Sequence, residues 1–134
     1  MSAHVHLVTI YYEDTDHSGL VYHANYLKYF ERAREHVLGR EELVRLLLED
    51  GVGFVVYRAE LTYRRGARFG DLVEIRSSVE KTSDYRLAFL QNVHRQKDGE
   101  LLVEGQVDLV AVDRESQLIA LPDVVLDRLA AQPN

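Results

Sequence analysis

Residues 11–38 read Tyr11-Tyr12-Glu13-Asp14-Thr15-Asp16-His17-Ser18-Gly19-Leu20-Val21-Tyr22-His23-Ala24-Asn25-Tyr26-Leu27-Lys28-Tyr29-Phe30-Glu31-Arg32-Ala33-Arg34-Glu35-His36-Val37-Leu38. Just upstream, Val5 to Tyr12 is β-branched and aromatic, which predicts a strand. Glu13 to Gly19 is polar and contains glycine, which predicts a loop. Leu27, Phe30, Ala33, Val37 and Leu38 then recur near helical spacing, with Lys28, Glu31, Arg32 and Glu35 between them. That pattern predicts a helix over 26–38, with Asn25 as its N-cap and Gly39 as its stop.

Further along, residues 41–49 predict a short second helix carrying Leu43, Val44, Leu46 and Leu47. Four strand-like segments follow, at 53–64, 71–81, 84–97 and 100–113. In the second of them Val73, Ile75 and Val79 alternate with Glu74, Arg76 and Ser78. Thr82-Ser83-Asp84 and Asp98-Gly99 punctuate the joins, and Asp-Gly between two strand patterns is a hairpin signal. The four segments therefore predict an antiparallel meander. Residues 122–130 predict a terminal helical turn with Pro122 at its first position. The sum is one α+β domain over residues 1–134: a long helix against one face of an antiparallel sheet of about five strands. Tyr85, Leu87 and Phe89 mark one face of the third meander strand, and Ala88 and Leu90 the other. An apolar second face needs cover that so short a chain lacks, which predicts a homo-oligomer.

The chain has 134 residues and a mass of 15.4 kDa, enough for one domain with a real core. Lys plus Arg is 16 and Asp plus Glu is 22, a formal charge of −6, which argues against a general nucleic-acid binder. There is no cysteine, so disulfides, thiolate zinc sites, iron–sulfur clusters and Cys nucleophiles are excluded. No apolar run approaches the ~20 residues of a membrane span. Met1-Ser2-Ala3-His4-Val5-His6 lacks the basic and apolar regions of a signal peptide, so the expected location is cytoplasmic. Against the acidic background, Arg58, Arg64, Arg65 and Arg68 stand out in residues 53–70 with only Glu60 to oppose them.

The densest chemistry lies between the first strand and the helix. If the strand persists, Tyr12, Asp14 and Asp16 share a face. Two close carboxylates repel, and one is then expected to have a raised pKa, suited to base or nucleophile work. The helix start offers free backbone N–H groups to a carbonyl oxygen. Asp and Ser before a helix also form plain caps and turns, which is the competing reading. Asp14-x-Asp16-x-Ser18-Gly19 matches the first half of a calcium loop, but the twelfth position is Asn25 and a strand precedes it, so no calcium site is read here. His4 and His6 at i, i+2 lack a visible third metal ligand, and no metal or organic cofactor is expected.

Tyr12 through Tyr26, running into Tyr29-Phe30-Glu31-Arg32-Ala33-Arg34, resembles the motif of hotdog-fold acyl-CoA thioesterases. The resemblance is to the 4-hydroxybenzoyl-CoA thioesterase family, and within it to the bacterial branch associated with the Tol-Pal envelope system. It extends more loosely over residues 5–115, including Phe54-Val55-Val56 and Tyr63-Arg64-Arg65-Gly66-Ala67-Arg68-Phe69-Gly70-Asp71. It implies a long helix wrapped by an antiparallel sheet, as a homodimer or homotetramer, that hydrolyses an acyl-CoA to free acid and CoA. Asp16 matches the family's catalytic carboxylate, as nucleophile or general base. Tyr12 and His23 match active-site positions, and the backbone N–H near His23 matches the carbonyl-polarising donor. The benzoyl enzymes carry an aromatic residue at the position of His23, so the histidine points to the Tol-Pal-like branch.

Arg64, Arg65 and Arg68 are candidate contacts for the CoA phosphates. Glu31 is an alternative carboxylate, because some hotdog thioesterases place their acid on this helix; its plain reading is an ion pair with Arg34. Acyl carrier protein is a possible alternative donor of the acyl group. The competing functions are a non-catalytic acyl-CoA or acyl-carrier binding module, and an acyl-thioester hydratase or dehydratase on the same fold.

Overall fold

The computed structural model describes residues 4–132; Met1-Ser2-Ala3 of the N-terminal stretch and residues 133–134 lie outside them. Strand β1 is His4–Thr9, followed by a single 3-10 turn at Tyr12–Asp14. Helix α1 is Asn25–Leu38 and α2 is Arg40–Arg45, which runs on into a π-turn at Leu46–Asp50. Then come β2 (Gly53–Tyr63), β3 (Leu72–Ser83), β4 (Arg86–Arg95), β5 (Leu101–Val112), the two-residue β6 (Leu118–Ile119) and α3 (Asp123–Ala131).

All pairings are antiparallel, in the order β1-β3-β4-β5-β2, with β6 added beside β5. The meander is therefore β3-β4-β5 only. β2 does not pair with β3, which follows it; it lies at the far edge against β5, in a register from Gly53↔Val112 to Tyr63↔Val103. Asp98-Gly99 does turn a hairpin, within the 96–100 loop, where Asp98 accepts from the backbone N–H of Glu100 at 3.1 Å.

α1 buries Tyr26, Tyr29, Phe30, Ala33, Arg34, Val37 and Leu38, an i, i+3, i+4, i+7 stripe. The stripe begins at Tyr26; Leu27, expected to belong to it, is exposed. Facing it are Val73 and Ile75 of β3, Leu87, Phe89 and Val93 of β4, and Val103, Val107 and Leu109 of β5, all buried. Helix and sheet approach closely at Gly105, where an added Cβ would stand 2.6 Å from the Phe30 ring. Gly39 ends α1 as expected, but Pro122 is the N-cap of α3 and not its first residue.

The opposite sheet face is not the continuous apolar surface that was expected. Leu90 is exposed there, but a cavity beside it is lined by Glu60, Asn92, Glu104 and Gln106, and Tyr85 lies outside β4. Three successive exposed apolar side chains sit on the edge strand β2, at Val55, Val56 and Tyr57.

Candidate active site

The strand ends at Thr9, so Tyr12, Asp14 and Asp16 do not share a strand face. Asp14 is the anchor of the segment. Its Oδ2 accepts from the Tyr11 backbone N–H at 2.8 Å, and its Oδ1 accepts from Asn25 Nδ2 at 3.2 Å. Asn25 is thus the first residue of α1 and clamps the loop, while Ala24 occupies the N-cap without a side-chain cap bond. Tyr29 lies beside Asp14; burial first, and then the Asp14 charge, push its phenol well above the ordinary range.

Asp16 turns the other way. Its Oδ1 accepts from the Ser18 backbone N–H at 2.8 Å and from Ser18 Oγ at 2.5 Å. The Ser18 hydroxyl, and then its amide, hold the Asp16 carboxyl below the usual carboxylate range. This corrects the expectation of a raised carboxylate: Asp14 and Asp16 do not stand as a repelling pair, and Asp16 is only partly buried. Neither contact uses Oδ2. The turn closes through Asp16 N–H to Leu20 O at 2.8 Å, and Gly19 takes a φ of +79°, a left-handed conformation that glycine adopts without steric cost.

The loop after β2 holds this turn from outside. The Val21 amide donates to Ala67 O at 2.9 Å and the Phe69 amide to Gly19 O at 3.0 Å. The Ala67 amide donates to Tyr26 Oη at 3.1 Å, tying that loop to the start of α1. Among the described residues the backbone N–H groups of His23 and Ala24 have no acceptor. They sit at the positive end of α1, which favours negative charge.

A cavity of about 290 Å³ gathers Asp16, His23, Tyr26, Tyr63, Arg64 and Arg65. Tyr63 carried no assigned role in the sequence. Its hydroxyl donates to His23 O at 3.1 Å, and its ring meets the His23 ring edge-on at 6.4 Å. Only its place at the end of a strand, next to two arginines, hinted at it. Tyr12 is not brought to Asp16: its ring packs on Phe69 at 5.5 Å and is largely exposed. Arg64 pairs with Glu104 at 2.7 Å and Arg65 with Glu100 at 2.8 Å, both exposed pairs on β5 and its turn. Arg68 contributes its backbone N–H to Asp71 and lies outside the cavity lining. Glu31 is on α1 but lines a different cavity.

No cluster of three or more His, Asp or Glu able to hold a metal occurs among the described residues. No helix there is long and apolar enough to cross a membrane.

Residues 11–129 match the family model of the thioesterase-like superfamily. The acyl-CoA thioester hydrolase YbgC of Escherichia coli O6:H1 is 36% identical over 107 residues, 79% of either chain. The hypothetical protein TT1821 of Thermus thermophilus superposes with a TM-score of 0.82 at 32% identity, over 96% of this chain and 95% of that one. A 1,4-dihydroxy-2-naphthoyl-CoA thioesterase from Synechocystis, 20% identical and covering 96% of both chains, superposes with a TM-score of 0.88 and shares the fold. The match spans the helix, the sheet and the Tyr11–Asn25 segment alike, and the chain is a hotdog-fold member of the thioesterase-like superfamily.

Proposed function

We propose that this chain hydrolyses acyl-CoA thioesters to a free acid and CoA, with Asp16 as the reacting carboxylate. The observation that carries the reading is the meeting, in one cavity, of Asp16, a carboxylate with a free oxygen, and His23, whose backbone N–H before α1 has no acceptor among the described residues. The thioester carbonyl oxygen accepts from the amides near His23; as charge develops there, each well-aimed donor contributes ~3–4 kcal/mol. Asp16 either attacks the carbonyl carbon, forming a mixed anhydride and expelling CoA thiolate, or takes a proton from a water that attacks that carbon, giving the free acid directly as the thiolate leaves and takes up the proton. The anhydride would be cleaved by water in a second step. His23 orients the water or assists the departing thiolate.

The CoA phosphates are taken by Arg64 and Arg65 at the rim of that cavity, exchanging their exposed carboxylate partners for phosphate, with Arg68 further out. Tyr12 keeps its ring exposed beside Phe69, outside the cavity lining, and takes part only where the bound substrate reaches it. The molecule works as a homo-oligomer in which the exposed edge of β2 is covered by a second copy.

A thiol-release assay over short, long and aromatic acyl-CoAs tests the reading, with Asp16→Asn in parallel. Turnover by the wild type and a loss of ~100-fold or more in the variant are expected. Equal rates would remove Asp16 from the reaction and make Glu31 the next target. Binding without turnover by both proteins would make the chain a binding module. Incorporation of labelled water oxygen into Asp16 in a single turnover separates attack by the carboxylate from base catalysis.

A further inference from the structure

His23 carries two groups that the proposed hydrolysis uses, its backbone N–H and its imidazole, and little in the chain holds it. Among the described residues its N–H has no acceptor and its ring has no hydrogen-bond partner. The residues on either side are fixed. The Val21 amide donates to Ala67 O at 2.9 Å, and the Asn25 amide donates to Tyr22 O at 2.8 Å. On His23 itself the one hydrogen bond among the described residues is the one its carbonyl accepts from Tyr63 Oη, at 3.1 Å.

Tyr63 makes that contact from a rigid support. It is the last residue of β2 and pairs with Val103 of β5. The two amides that follow it, of Arg64 and Arg65, both donate to Leu102 O, at 2.8 Å and 3.0 Å, which fixes where the strand ends. Its ring packs on that of Tyr26 at 5.8 Å, and Tyr26 is buried and tied by its hydroxyl to the Ala67 amide. Burial raises the Tyr63 phenol above its ordinary value of 10.0, so the hydroxyl stays a donor at neutral pH.

The two peptide planes that meet at His23 are thus held separately. Asn25 holds the plane that carries the His23 N–H, through Tyr22 O, and Tyr63 holds the next plane, through His23 O. Because each plane is stiff, holding both pins the two backbone angles of His23. An amide aimed in advance stabilises developing charge without reorganising at the moment of reaction.

We propose that Tyr63 is a positioning residue for the hydrolysis: its hydroxyl and its ring edge pin His23, so that the His23 N–H and imidazole keep one arrangement while charge develops on the thioester oxygen. This rests on the acyl-CoA hydrolysis proposed for Asp16 and His23. In this role Tyr63 touches no reacting atom and exchanges no proton.

Tyr63→Phe tests it, because the ring stays and only the hydroxyl is lost. With an acyl-CoA that the wild type hydrolyses, kcat should fall roughly 3- to 10-fold, the worth of one hydrogen bond, with KM held within about twofold. KM holds because the Arg64 and Arg65 side chains are untouched. The pH profile of kcat should keep its shape, since Tyr63 does not titrate near neutrality. In the free variant the carbonyl-carbon NMR signal of His23 should move upfield, while that of Leu38, at the far end of α1, stays in place. Wild-type kcat in Tyr63→Phe, a loss confined to KM, a shifted pH profile, or an unmoved His23 carbonyl signal would each overturn the role of Tyr63 and leave the hydrolysis standing. A wild type that releases no thiol from any acyl-CoA would instead remove the hydrolysis, and the part of Tyr63 with it.

Discussion

Ser18 governs the ionisation of Asp16. Removing its hydroxyl in Ser18→Ala leaves the amide contact and takes away the largest cause of the lowered pKa. The carboxyl should then titrate closer to the ordinary aspartate value, which a carboxyl-carbon NMR titration reads directly, and Ser18→Thr should restore the wild-type curve. The sign for stability follows. A carboxyl whose folded pKa is depressed contributes stability above its unfolded pKa and loses it as pH falls through the folded value. Ser18→Ala therefore flattens the acid limb of stability near and below the ordinary aspartate pKa. Unchanged titration in Ser18→Ala would show that the backbone turn alone holds Asp16. At this scale the sequence was a partial guide. The carboxylates were visible, but which of them is tied into structure depended on where the strand stopped. It stopped at Thr9, so Asp14 bound the helix start and Asp16 faced the cavity.

At the scale of elements, the contact between Phe30 and Gly105 fixes α1 on the sheet. Gly105 admits the Phe30 ring, and Gly105→Ala is expected to cost about 1–3 kcal/mol by overpacking, measured by urea unfolding. Phe30→Ala, which empties a fully buried position, should cost about 3–5 kcal/mol.

The seam between β1 and α1 behaves differently. His6 and His36 stack at 4.9 Å, and Arg32 of α1 and Arg128 of α3 add positive charge there. Burial first, and then these neighbours, lower the pKa of His4 and His6 from 6.5. The folded state thus binds fewer protons than the unfolded chain. This stability is present above about pH 6.5 and is lost as pH falls toward the folded values. Unfolding at pH 7.5 and pH 5 should show the decline, and His36→Asn should shrink it; a wild type equally stable at both would refute the seam's role. The sequence showed His4 and His6 as a pair, but not that a helix thirty residues on would bring His36 against them.

For the whole molecule the exposed feature is the edge strand. β2 is long, lies at the end of the sheet, and exposes Val55, Val56 and Tyr57 in succession. A bare edge with apolar side chains invites pairing, and natural chains cover or charge such an edge. Sedimentation of the wild type should give a mass above 15.4 kDa, and Val55→Lys together with Tyr57→Lys should shift it toward the monomer. A wild type that sediments as a monomer would overturn the expected oligomer.

The sequence by itself determined α1 and the four long strands after it, because these rest on local pattern. Period 3.6 placed α1, period 2 placed β3 and β4, and Asp98-Gly99 placed a hairpin. The Tyr12–Arg34 motif also carried the family. Tertiary structure decided the rest. Strand order is set by which faces must be buried together, so β2 crossed to β5 although β3 follows it in the chain. The partners of each polar side chain were decided the same way. Tyr63 reached His23 over forty residues, and Arg34 met Gln91 beneath the helix, through proximities created by packing that no local pattern encodes.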